Sequence, residues 1–482
     1  MHRKTKIVAT LGPATTSISK IRDLISKGVD VFRVNFSHGG LEQHKESFVN
    51  VRMVAAQEGR DVAILADIQG PKIRISSFIN GKVLLKEGQR FTLDPALGEK
   101  EGDISGVGLD YKKLYKDVVV SDVLRLGDGQ ISLKVTDIIG EKVVCESMVT
   151  EEISDHKGIN LQGGGLSAGA ITAKDIVDIE TAIKLEADFV ALSFVRSKQD
   201  IDYGRSLIEK FGGHAAIIAK IERIDAVKNS AEIIDAADGI MIARGDLAIE
   251  IGEAEVPGVQ KKLVKLARSM SKPVIVATQM MESMIHQRVP TRAEVSDVAN
   301  AVLDGADAVM LSAETAVGSF PTEVVDAVVN ICFSAEKYDK DINSPMFKSD
   351  FANTDQAVSF AAMYIANSMN VAAIIALTES GKTPLLMSRV RSGIPIYGLS
   401  RHKSARRKMM LYRDVIPVAF DVTATPYGLV NFNAVAELEK LSYLFKGDNV
   451  ILTKGDYMGG DHGSNAIKML EVGEVRKVTE EL

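Results

Sequence analysis

Between residues 5 and 320, short apolar runs alternate with segments long enough to form helices. Each run is rich in Val, Ile and Ala and is followed by a polar residue or a glycine. Continuous apolar runs of this length are typical of strands in a parallel sheet, because such a sheet is covered on both faces. Eight such strands alternating with helices predict a (β/α)8 TIM barrel, with an open doubly wound sheet as the alternative. The eight runs are 6–11, 31–36, 62–66, 189–194, 215–221, 239–243, 273–277 and 308–311.

The alternation is interrupted between residues 71 and 167. Val-rich runs and turn pairs such as Asn80-Gly81, Asp128-Gly129 and Ile139-Gly140 predict a β-domain inserted into a barrel loop. We expect a domain inserted above the catalytic face to act as a lid. After Tyr338, strand patterns near 372–377, 394–399, 416–419 and 450–453 predict a separate α/β domain with a mixed sheet.

Four segments follow from these patterns. We expect a first part of the barrel, an inserted β-barrel-like lid domain, a second part of the barrel, and a C-terminal α/β regulatory domain. Their predicted bounds are 1–70, 71–167, 168–340 and 341–482.

Charge and cysteine content argue against several classes of protein. The net charge is −6 with no strongly basic region, which argues against a nucleic-acid partner. Cys145 and Cys332 are the two cysteines and show no CxxC spacing, so a reducing compartment is expected and a cysteine zinc site is not. Apolar stretches stay shorter than the roughly 18 residues of a membrane span. We therefore expect a cytoplasmic protein without a membrane partner.

Polar residues follow at least six of the eight apolar runs, where a barrel carries its catalytic groups. A polar turn into solvent explains any one of these positions taken alone. A polar turn does not readily explain why Lys220 and Glu222 lie on the same face of one strand. Nor does it readily explain why Asp246 comes directly after Arg244 and Gly245. The polar residues at the ends of the second, third, fifth, sixth, seventh and eighth runs, or soon after them, include Arg33, Asn35, Ser37 and His38; Asp67, Lys72 and Arg74; Lys220 and Glu222; Arg244 and Asp246; Thr278 and Gln279; and Ser312 and Glu314.

Two carboxylates without a nearby Cys or His favour a hard cation such as Mg²⁺, which commonly keeps one or two carboxylates plus substrate oxygens. Lys220 supplies positive charge where a phosphoryl group would pass. Ala243 and Gly245 are small enough for backbone N–H groups to approach an anion closely. The residues alone therefore predict a Mg²⁺-dependent enzyme acting on an anionic, phosphorylated small molecule.

Seven motifs resemble those of the pyruvate kinase family, in that family's order: TKIVATLGPAT, FRVNFSHG, GPKIR, AKIER, MIARGDLAIEI, ATQMMESM and PTRAEVSDVANAVLDGADAVMLSAET. The similarity extends through Pro321 and, more loosely, to the C-terminus. It implies glycolytic transfer of a phosphoryl group from phosphoenolpyruvate to ADP, giving pyruvate and ATP. The alternatives are another phosphoenolpyruvate-handling barrel, such as an aldolase-like lyase, and a catalytically silent metabolite-binding paralogue.

The resemblance also implies residue roles. Glu222 and Asp246 match Mg²⁺ (or Mn²⁺) ligands, and Lys220 matches the lysine that stabilises charge on the transferring group. Thr278 matches a threonine near the methyl carbon, with Ser312 and water as partners in proton delivery. Positions that match substrate-binding residues are Arg33, Lys220, Ala243, Gly245, Asp246 and Thr278. Positions that match nucleotide contacts are Asn35, His38, Arg74 and Lys157, although a structural role is the alternative for His38.

One departure concerns K⁺. Many members bind K⁺ through residues matching Asn35, Ser37, Asp67 and the carbonyl of Ile68, and these members carry a glutamate where this chain has Lys72. The segment around Lys72 is similar to the K⁺-independent branch. Because a lysine ammonium can supply the charge that the ion would bring, we predict activity without K⁺.

The C-terminal region resembles the part of the family that binds activators. Thr378, Ser380, Lys382 and Thr383 lie in a predicted strand-to-helix turn that could hold a phosphate, with an ordinary βα turn as the alternative. Glycines 455, 459, 460 and 463 are candidates for a second wall. Family members that respond to fructose 1,6-bisphosphate often carry a basic residue where this chain has Glu379, so the resemblance implies a monophosphate effector such as AMP or a sugar monophosphate. The family is commonly tetrameric, so a homotetramer is expected.

Overall fold

The computed structural model describes residues 2–127, 129–338, 351–369, 371–456 and 463–473. The strands are, in chain order, β1 (Lys6–Thr10), β2 (Val31–Asn35), β3 (Ala63–Ile68), β4 (Lys82–Leu85), β5 (Arg90–Leu93), β6 (Gly106–Val107), β7 (Val123–Leu126), β8 (Ile131–Ile139), β9 (Lys142–Ser147), β10 (Glu151–Ser154), β11 (Ile159–Leu161), β12 (Phe189–Leu192), β13 (Ala216–Ile221), β14 (Gly239–Ala243), β15 (Val274–Ala277), β16 (Ala308–Leu311), β17 (Ala373–Leu377), β18 (Ile396–Ser400), β19 (Val415–Ala419), β20 (Asn449–Lys454) and β21 (Ala466–Glu471).

The helices are, in chain order, α1 (Ile18–Lys27), α2 (Leu41–Gln57), α3 (Leu114–Asp117), α4 (Ala173–Lys184), α5 (Lys198–Lys210), α6 (Ile224–Lys228), α7 (Ser230–Ala236), α8 (Arg244–Ile251), α9 (Val256–Ser269), α10 (Arg292–Asp304), α11 (Ala313–Ala316), α12 (Pro321–Tyr338), α13 (Thr354–Met369), α14 (Lys382–Ser388), α15 (Lys403–Met409) and α16 (Val430–Lys440). Short 3₁₀ segments occur at Glu253–Glu255, Glu282–Ile285 and Tyr427–Leu429.

Eight parallel strands form a closed barrel in the order β1-β16-β15-β14-β13-β12-β3-β2. Strand β1 pairs with both β2 and β16, which closes the sheet. The predicted (β/α)8 barrel is confirmed, and the open doubly wound sheet is wrong. All eight apolar runs form its strands, as their two-sided burial requires.

Four aspartates form a ring at the amino end of the barrel, each directly before an alternate strand. Asp30, Asp188, Asp238 and Asp307 each accept a backbone N–H from the start of the neighbouring strand, at 2.8–3.0 Å. Each carboxylate is also paired with at least one arginine. The carboxylates accept hydrogen bonds from backbone N–H groups that have no partner in the staggered sheet at the beginning of these strands. They also help to fix the register between neighbouring barrel strands.

The insertion after β3 forms two sheets, one of six strands (β11-β7-β8-β9-β5-β6) and one of two strands (β10-β4), together with the one-turn helix α3. Its connections contact the barrel: Gly70 N–H donates to Asp175 at 3.1 Å, and Gly163 N–H donates to the carbonyl of Glu250 at 3.1 Å. The predicted inserted β-domain is confirmed, and it lies next to the carboxyl ends of the barrel strands.

The C-terminal sheet has the order β19-β18-β17-β20-β21, in which β21 is antiparallel to β20. This is the predicted mixed sheet, with β21 an edge strand that the sequence patterns did not reveal. Barrel residues such as Val8 and Met241 share one buried cluster with Met363 and Met410 of this domain. Lys6, at the start of β1, donates to the Val415 carbonyl, and Asp307, directly before β16, pairs with Arg389. The C-terminal domain therefore packs against the barrel end opposite to the one where catalytic groups are expected.

None of the helices in the described part of the chain has the length and apolarity that crossing a membrane requires. Asp128 of one predicted turn pair, glycines 459 and 460 of the predicted second effector wall, and the predicted boundary at 340/341 lie outside the described residues.

Candidate active site

Lys220 is at the centre of a charged cluster at the carboxyl end of β13. Its ammonium nitrogen lies 2.8 Å from a Glu222 oxygen, 3.2 Å from an Asp67 oxygen and 2.8 Å from the Ser193 hydroxyl. The side chain is 12% exposed. Burial opposes the charged form, but the charges of Asp67 and Glu222 raise the pKa of Lys220 overall. The site therefore holds a fixed positive charge in a partly water-excluded place.

Arg33 reaches the same cluster from β2. Its Nε lies 2.7 Å from Asp67, and its Nη1 donates to the Thr10 hydroxyl at 3.1 Å. Asp67 is almost fully buried, which alone would raise its pKa, yet Lys220 and Arg33 hold that pKa below its usual value. One buried carboxylate thus positions two cations whose remaining N–H groups can receive an anion.

Glu222 and Asp246 are the carboxylates expected to hold a divalent cation. The second oxygen of Glu222 accepts the backbone N–H of Phe194 at 2.8 Å, while Asp246 is 25% exposed. Burial raises the pKa of Glu222 and the Asp246 charge raises it further, against the opposing effect of Lys220. No cluster of three or more Asp, Glu, His or Cys side chains suited to a metal occurs among the residues described here. Two hard oxygen donors fit a Mg²⁺ or Mn²⁺ ion that takes its other ligands from substrate and water.

Gly245 and Thr278 are joined at the ends of β14 and β15. The Gly245 N–H donates to the Thr278 hydroxyl at 2.8 Å, and that hydroxyl donates to the Ala277 carbonyl at 2.6 Å. Ala243 is buried at the last position of β14 and precedes α8. The backbone donor and the hydroxyl expected to contact substrate are therefore neighbours.

Ser312 follows β16 and is held through its backbone. Its N–H donates to Glu314 at 2.6 Å, and the other oxygen of the buried Glu314 accepts the N–H of Met281 at 3.1 Å. Glu314 thus links the loop after β16 to the loop that carries Thr278.

Three of the four groups of the predicted monovalent-cation pocket, namely the Asn35 side chain, the Asp67 carboxylate and the Ile68 carbonyl, already have partners. Asn35 Oδ1 accepts the Ser37 N–H at 3.0 Å, and the Ile68 carbonyl accepts the Ser193 hydroxyl at 2.7 Å. Asp67 is occupied by Arg33 and Lys220. The Lys72 ammonium lies beside Asp246, at 3.9 Å.

The predicted nucleotide contacts divide between the barrel and the insertion. His38 is exposed after β2, with its N–H directed at the Asn35 carbonyl at 3.4 Å. The Arg74 guanidinium donates to the His156 carbonyl at 2.9 Å. The Lys157 carbonyl accepts an N–H from the segment next to Arg74. Arg74 and Lys157 therefore belong to the insertion, outside the ion pairs around Lys220.

The predicted effector turn follows β17. The Thr378 hydroxyl accepts the Gly381 N–H at 2.9 Å, and Ser380 accepts the Lys382 N–H at 3.4 Å. The turn is therefore closed by its own side chains, as the alternative of an ordinary βα turn also requires.

The other two predicted effector residues have partners from distant segments. The Lys382 ammonium lies 2.9 Å from Asp355, and the buried Thr383 hydroxyl lies 2.8 Å from that of Ser464. Glu379 is paired with Arg401 and His402, at 3.1 and 2.5 Å.

Ser193 and Thr10 are site residues that the sequence patterns missed. Ser193 directly follows β12, and Thr10 is the last residue of β1. The polar ends of these two strands were left out of the prediction. The expectation that catalytic groups lie at the carboxyl ends of barrel strands would have indicated both residues.

A closed barrel that gathers a lysine, an arginine and two carboxylates at its strand ends defines a class of barrel enzymes that act on anionic small molecules. The family model described as "Pyruvate kinase, barrel domain" matches residues 2–325, and "Pyruvate kinase, alpha/beta domain" matches residues 356–470. The chain belongs to the pyruvate kinase family, whose members are phosphotransferases.

Individual pyruvate kinases are similar in sequence to this chain over almost its whole length. The chain is 50% identical to "Pyruvate kinase II" of Salmonella typhimurium over 477 residues, covering 98% of this chain and 99% of the relative. It is 48% identical to a pyruvate kinase of Haemophilus influenzae over 459 residues, covering 94% and 96%. It is 38% identical to that of Mycobacterium tuberculosis over 474 residues, covering 98% and 99%.

Proposed function

We propose that the chain transfers the phosphoryl group of phosphoenolpyruvate to ADP in glycolysis, giving pyruvate and ATP. The observation that carries the proposal is the Lys220 cluster, in which two buried cations lie beside two carboxylates at the strand ends of a barrel of the pyruvate kinase family. Family membership argues against the aldolase-like lyase.

Phosphoryl transfer depends on positioning and on charge stabilisation more than on covalent chemistry. Lys220 and Arg33 would donate to the oxygens of the moving group, and what supports this is that Asp67 pairs with both cations. Glu222 and Asp246 would hold a Mg²⁺ or Mn²⁺ ion, which neutralises substrate oxygens when bound. The N–H groups of Gly245 and Asp246 would donate to the substrate carboxylate, for which the Gly245 N–H would exchange its bond to the Thr278 hydroxyl. Ala243 would make room.

Enolpyruvate must then gain a proton on its methylene carbon. The family's pattern gives the Thr278 hydroxyl as the candidate, with Ser312 and water as partners. A lone hydroxyl is a poor acid, so we propose a relay through Thr278 rather than direct donation.

The inserted domain is proposed to act as the lid over ADP. Arg74 and Lys157 would bring positive charge to the nucleotide phosphates, and Asn35 and His38 would contact the nucleotide from the barrel side. Exclusion of water by such a lid would protect the phosphoryl group from hydrolysis.

The remaining predictions belong to the same proposal. They are activity without K⁺, a cytoplasmic homotetramer, the four-segment division of the chain, and a phosphorylated effector such as AMP or a sugar monophosphate at Thr378, Ser380, Lys382 and Thr383. What supports the K⁺ prediction is that the Asp67 charge is compensated by Lys220 and Arg33.

The test is pyruvate formation from phosphoenolpyruvate and ADP with Mg²⁺ in K⁺-free buffer, coupled to lactate dehydrogenase. The wild type should turn over, and Lys220→Met should lose at least about 10²–10³-fold in kcat, as expected for a fixed electrostatic stabiliser. Lys184→Met, an exposed lysine on α4, serves as the matched control. If the wild type forms no pyruvate with or without K⁺, the result would favour a metabolite-binding paralogue without catalytic activity.

A further inference from the structure

Thr278 has a backbone conformation that residues with a Cβ rarely adopt. Its φ is +69°, and the following Gln279 has a φ of +52°. Two consecutive left-handed residues other than glycine cost free energy, and they persist only where the surroundings hold them. Thr278 is the residue proposed to deliver the proton, so the group that holds it in this conformation bears on that step.

Arg244 is that group. Its Nη2 donates to the Thr278 carbonyl at 2.7 Å, and its Nε donates to the Ala277 carbonyl at 3.2 Å. These two carbonyls lie on either side of Thr278, so one guanidinium restrains both of its backbone dihedrals. The side chain is 11% exposed, and its Nη1 lies 2.7 Å from Asp297 on α10. A rigid fork anchored to a carboxylate holds the two peptide planes in place.

The same contacts fix the position of the hydroxyl oxygen. The Thr278 hydroxyl donates to the Ala277 carbonyl, which is one of the two that Arg244 holds. It also accepts the N–H of Gly245, the residue directly after Arg244. Movement of Arg244 would therefore shift the hydroxyl relative to the substrate site without removing any charge that touches the phosphoryl group.

We propose that Arg244 is a positioning residue for the proton-transfer half of the reaction and that it acts through the Thr278 backbone. The inference rests on the proposed role of Thr278. Arg244 leaves phosphoryl transfer to Lys220, Arg33 and the carboxylates.

The two half-reactions can be measured separately. ATP formed in a quenched single turnover of phosphoenolpyruvate and ADP reports phosphoryl transfer. Proton transfer is reported by NMR of pyruvate with ATP and Mg²⁺ in D₂O. There a methyl C–H bond breaks, its electron pair forms the enolate, the proton passes to solvent, and a deuteron from D₂O restores the bond.

Arg244→Lys keeps the charge but cannot span two carbonyls and a carboxylate. We expect methyl exchange to fall about 10²-fold, as a displacement of the order of 1 Å can cause, with single-turnover ATP formation little changed. Asp297→Asn keeps Arg244 but removes its carboxylate partner, so it should lower methyl exchange by a smaller factor. This variant tests the proposal if Arg244→Lys folds poorly.

Arg52→Lys is a matched control at the opposite end of the barrel. Arg52 also donates to two carbonyls, of Val62 and Glu186, and pairs with an aspartate, Asp188, at 2.7 Å. Its substitution should leave the ratio of exchange to ATP formation at the wild-type value.

Equal losses of exchange and ATP formation in Arg244→Lys, or unchanged exchange, would overturn the inference. Unchanged exchange in Thr278→Val would overturn it as well, while pyruvate formation by the wild type would still support the proposed function. Absence of pyruvate formation by the wild type would instead contradict the function itself.

Discussion

The ammonium nitrogen of Lys72 lies 3.9 Å from a carboxylate oxygen of Asp246, linking the start of the inserted domain to the first turn of α8. The lysine stem passes over Gly158, where a Cβ would lie 3.3 Å from the Lys72 Cε. The glycine near the end of the insertion therefore leaves room for the side chain that reaches the proposed metal ligand from the start of the insertion.

Lys72→Glu is expected to make activity depend on K⁺. The substitution replaces a positive charge beside Asp246 with a negative one. An added monovalent cation should therefore restore part of the positive electrostatic potential that Lys72 supplied. We expect at least a roughly tenfold stimulation by K⁺, which corresponds to about 1.4 kcal/mol, where the wild type shows little. The measurement is the coupled assay with and without K⁺. Lys86→Glu, the same charge change at an exposed site of the insertion, should remain K⁺-independent; equal behaviour of the two variants would contradict the prediction.

Glu222→Gln is expected to weaken binding of the divalent cation. Loss of one of two carboxylate ligands should raise the Mg²⁺ concentration for half-maximal activity about 10–100-fold or more. Removal of free metal with a chelator should stop the wild type reversibly. Mn²⁺ binding followed by electron paramagnetic resonance provides a readout independent of turnover, and Glu180→Gln on the surface of α4 is the control. An unchanged metal requirement in Glu222→Gln would remove Glu222 from the metal site.

Asp307→Asn is expected to destabilise the junction between the barrel and the C-terminal domain. Asp307 is 1% exposed, pairs with Arg389, and accepts the N–H groups of Val274 and Arg413, each at 3.0 Å. Without the carboxylate, Arg389 becomes a buried charge without compensation, which typically costs about 3–5 kcal/mol. Denaturant unfolding followed by circular dichroism measures the loss. Asp326→Asn, at an exposed pair with Lys27, should leave unfolding nearly unchanged.

Asp414→Asn is expected to remove a pH-dependent loss of stability. Burial raises the pKa of Asp414 from 3.8 to about 7; Lys4, Arg413 and Lys6 oppose the rise and Glu336 adds to it. Because the folded protein binds this proton more tightly than the unfolded chain, the wild type loses stability as pH rises from about 4 to about 7. The loss is about 1.4 kcal/mol for each unit of pKa difference. The residue has a φ of 65°, which asparagine tolerates.

The difference in unfolding free energy between Asp414→Asn and the wild type should therefore grow in favour of the variant between pH 5 and about 7. Above that range it should level off. A difference that does not change with pH would show that the carboxyl group is already ionised at pH 5 in the folded protein.

Local patterns were enough to predict the barrel, the inserted sheets and most strand-end residues. Apolar runs report two-sided burial whatever their partners are, and polar residues after them report the face where strands end. Lys220 and Glu222 could be predicted as a pair because both lie on one strand, two residues apart.

Contacts between strands were decided by the tertiary structure. Asp67 holds Lys220 and Arg33 because closure of the barrel brings β3 beside β2 and β12 and near β13, and no local pattern contains that register. Arg244 reaches the Thr278 backbone only because β14 and β15 are neighbours. The sequence by itself therefore determined which residue types lie at the strand ends. The fold decided which of them touch, because hydrogen bonds and ion pairs depend on distances of a few ångströms between segments far apart in the chain.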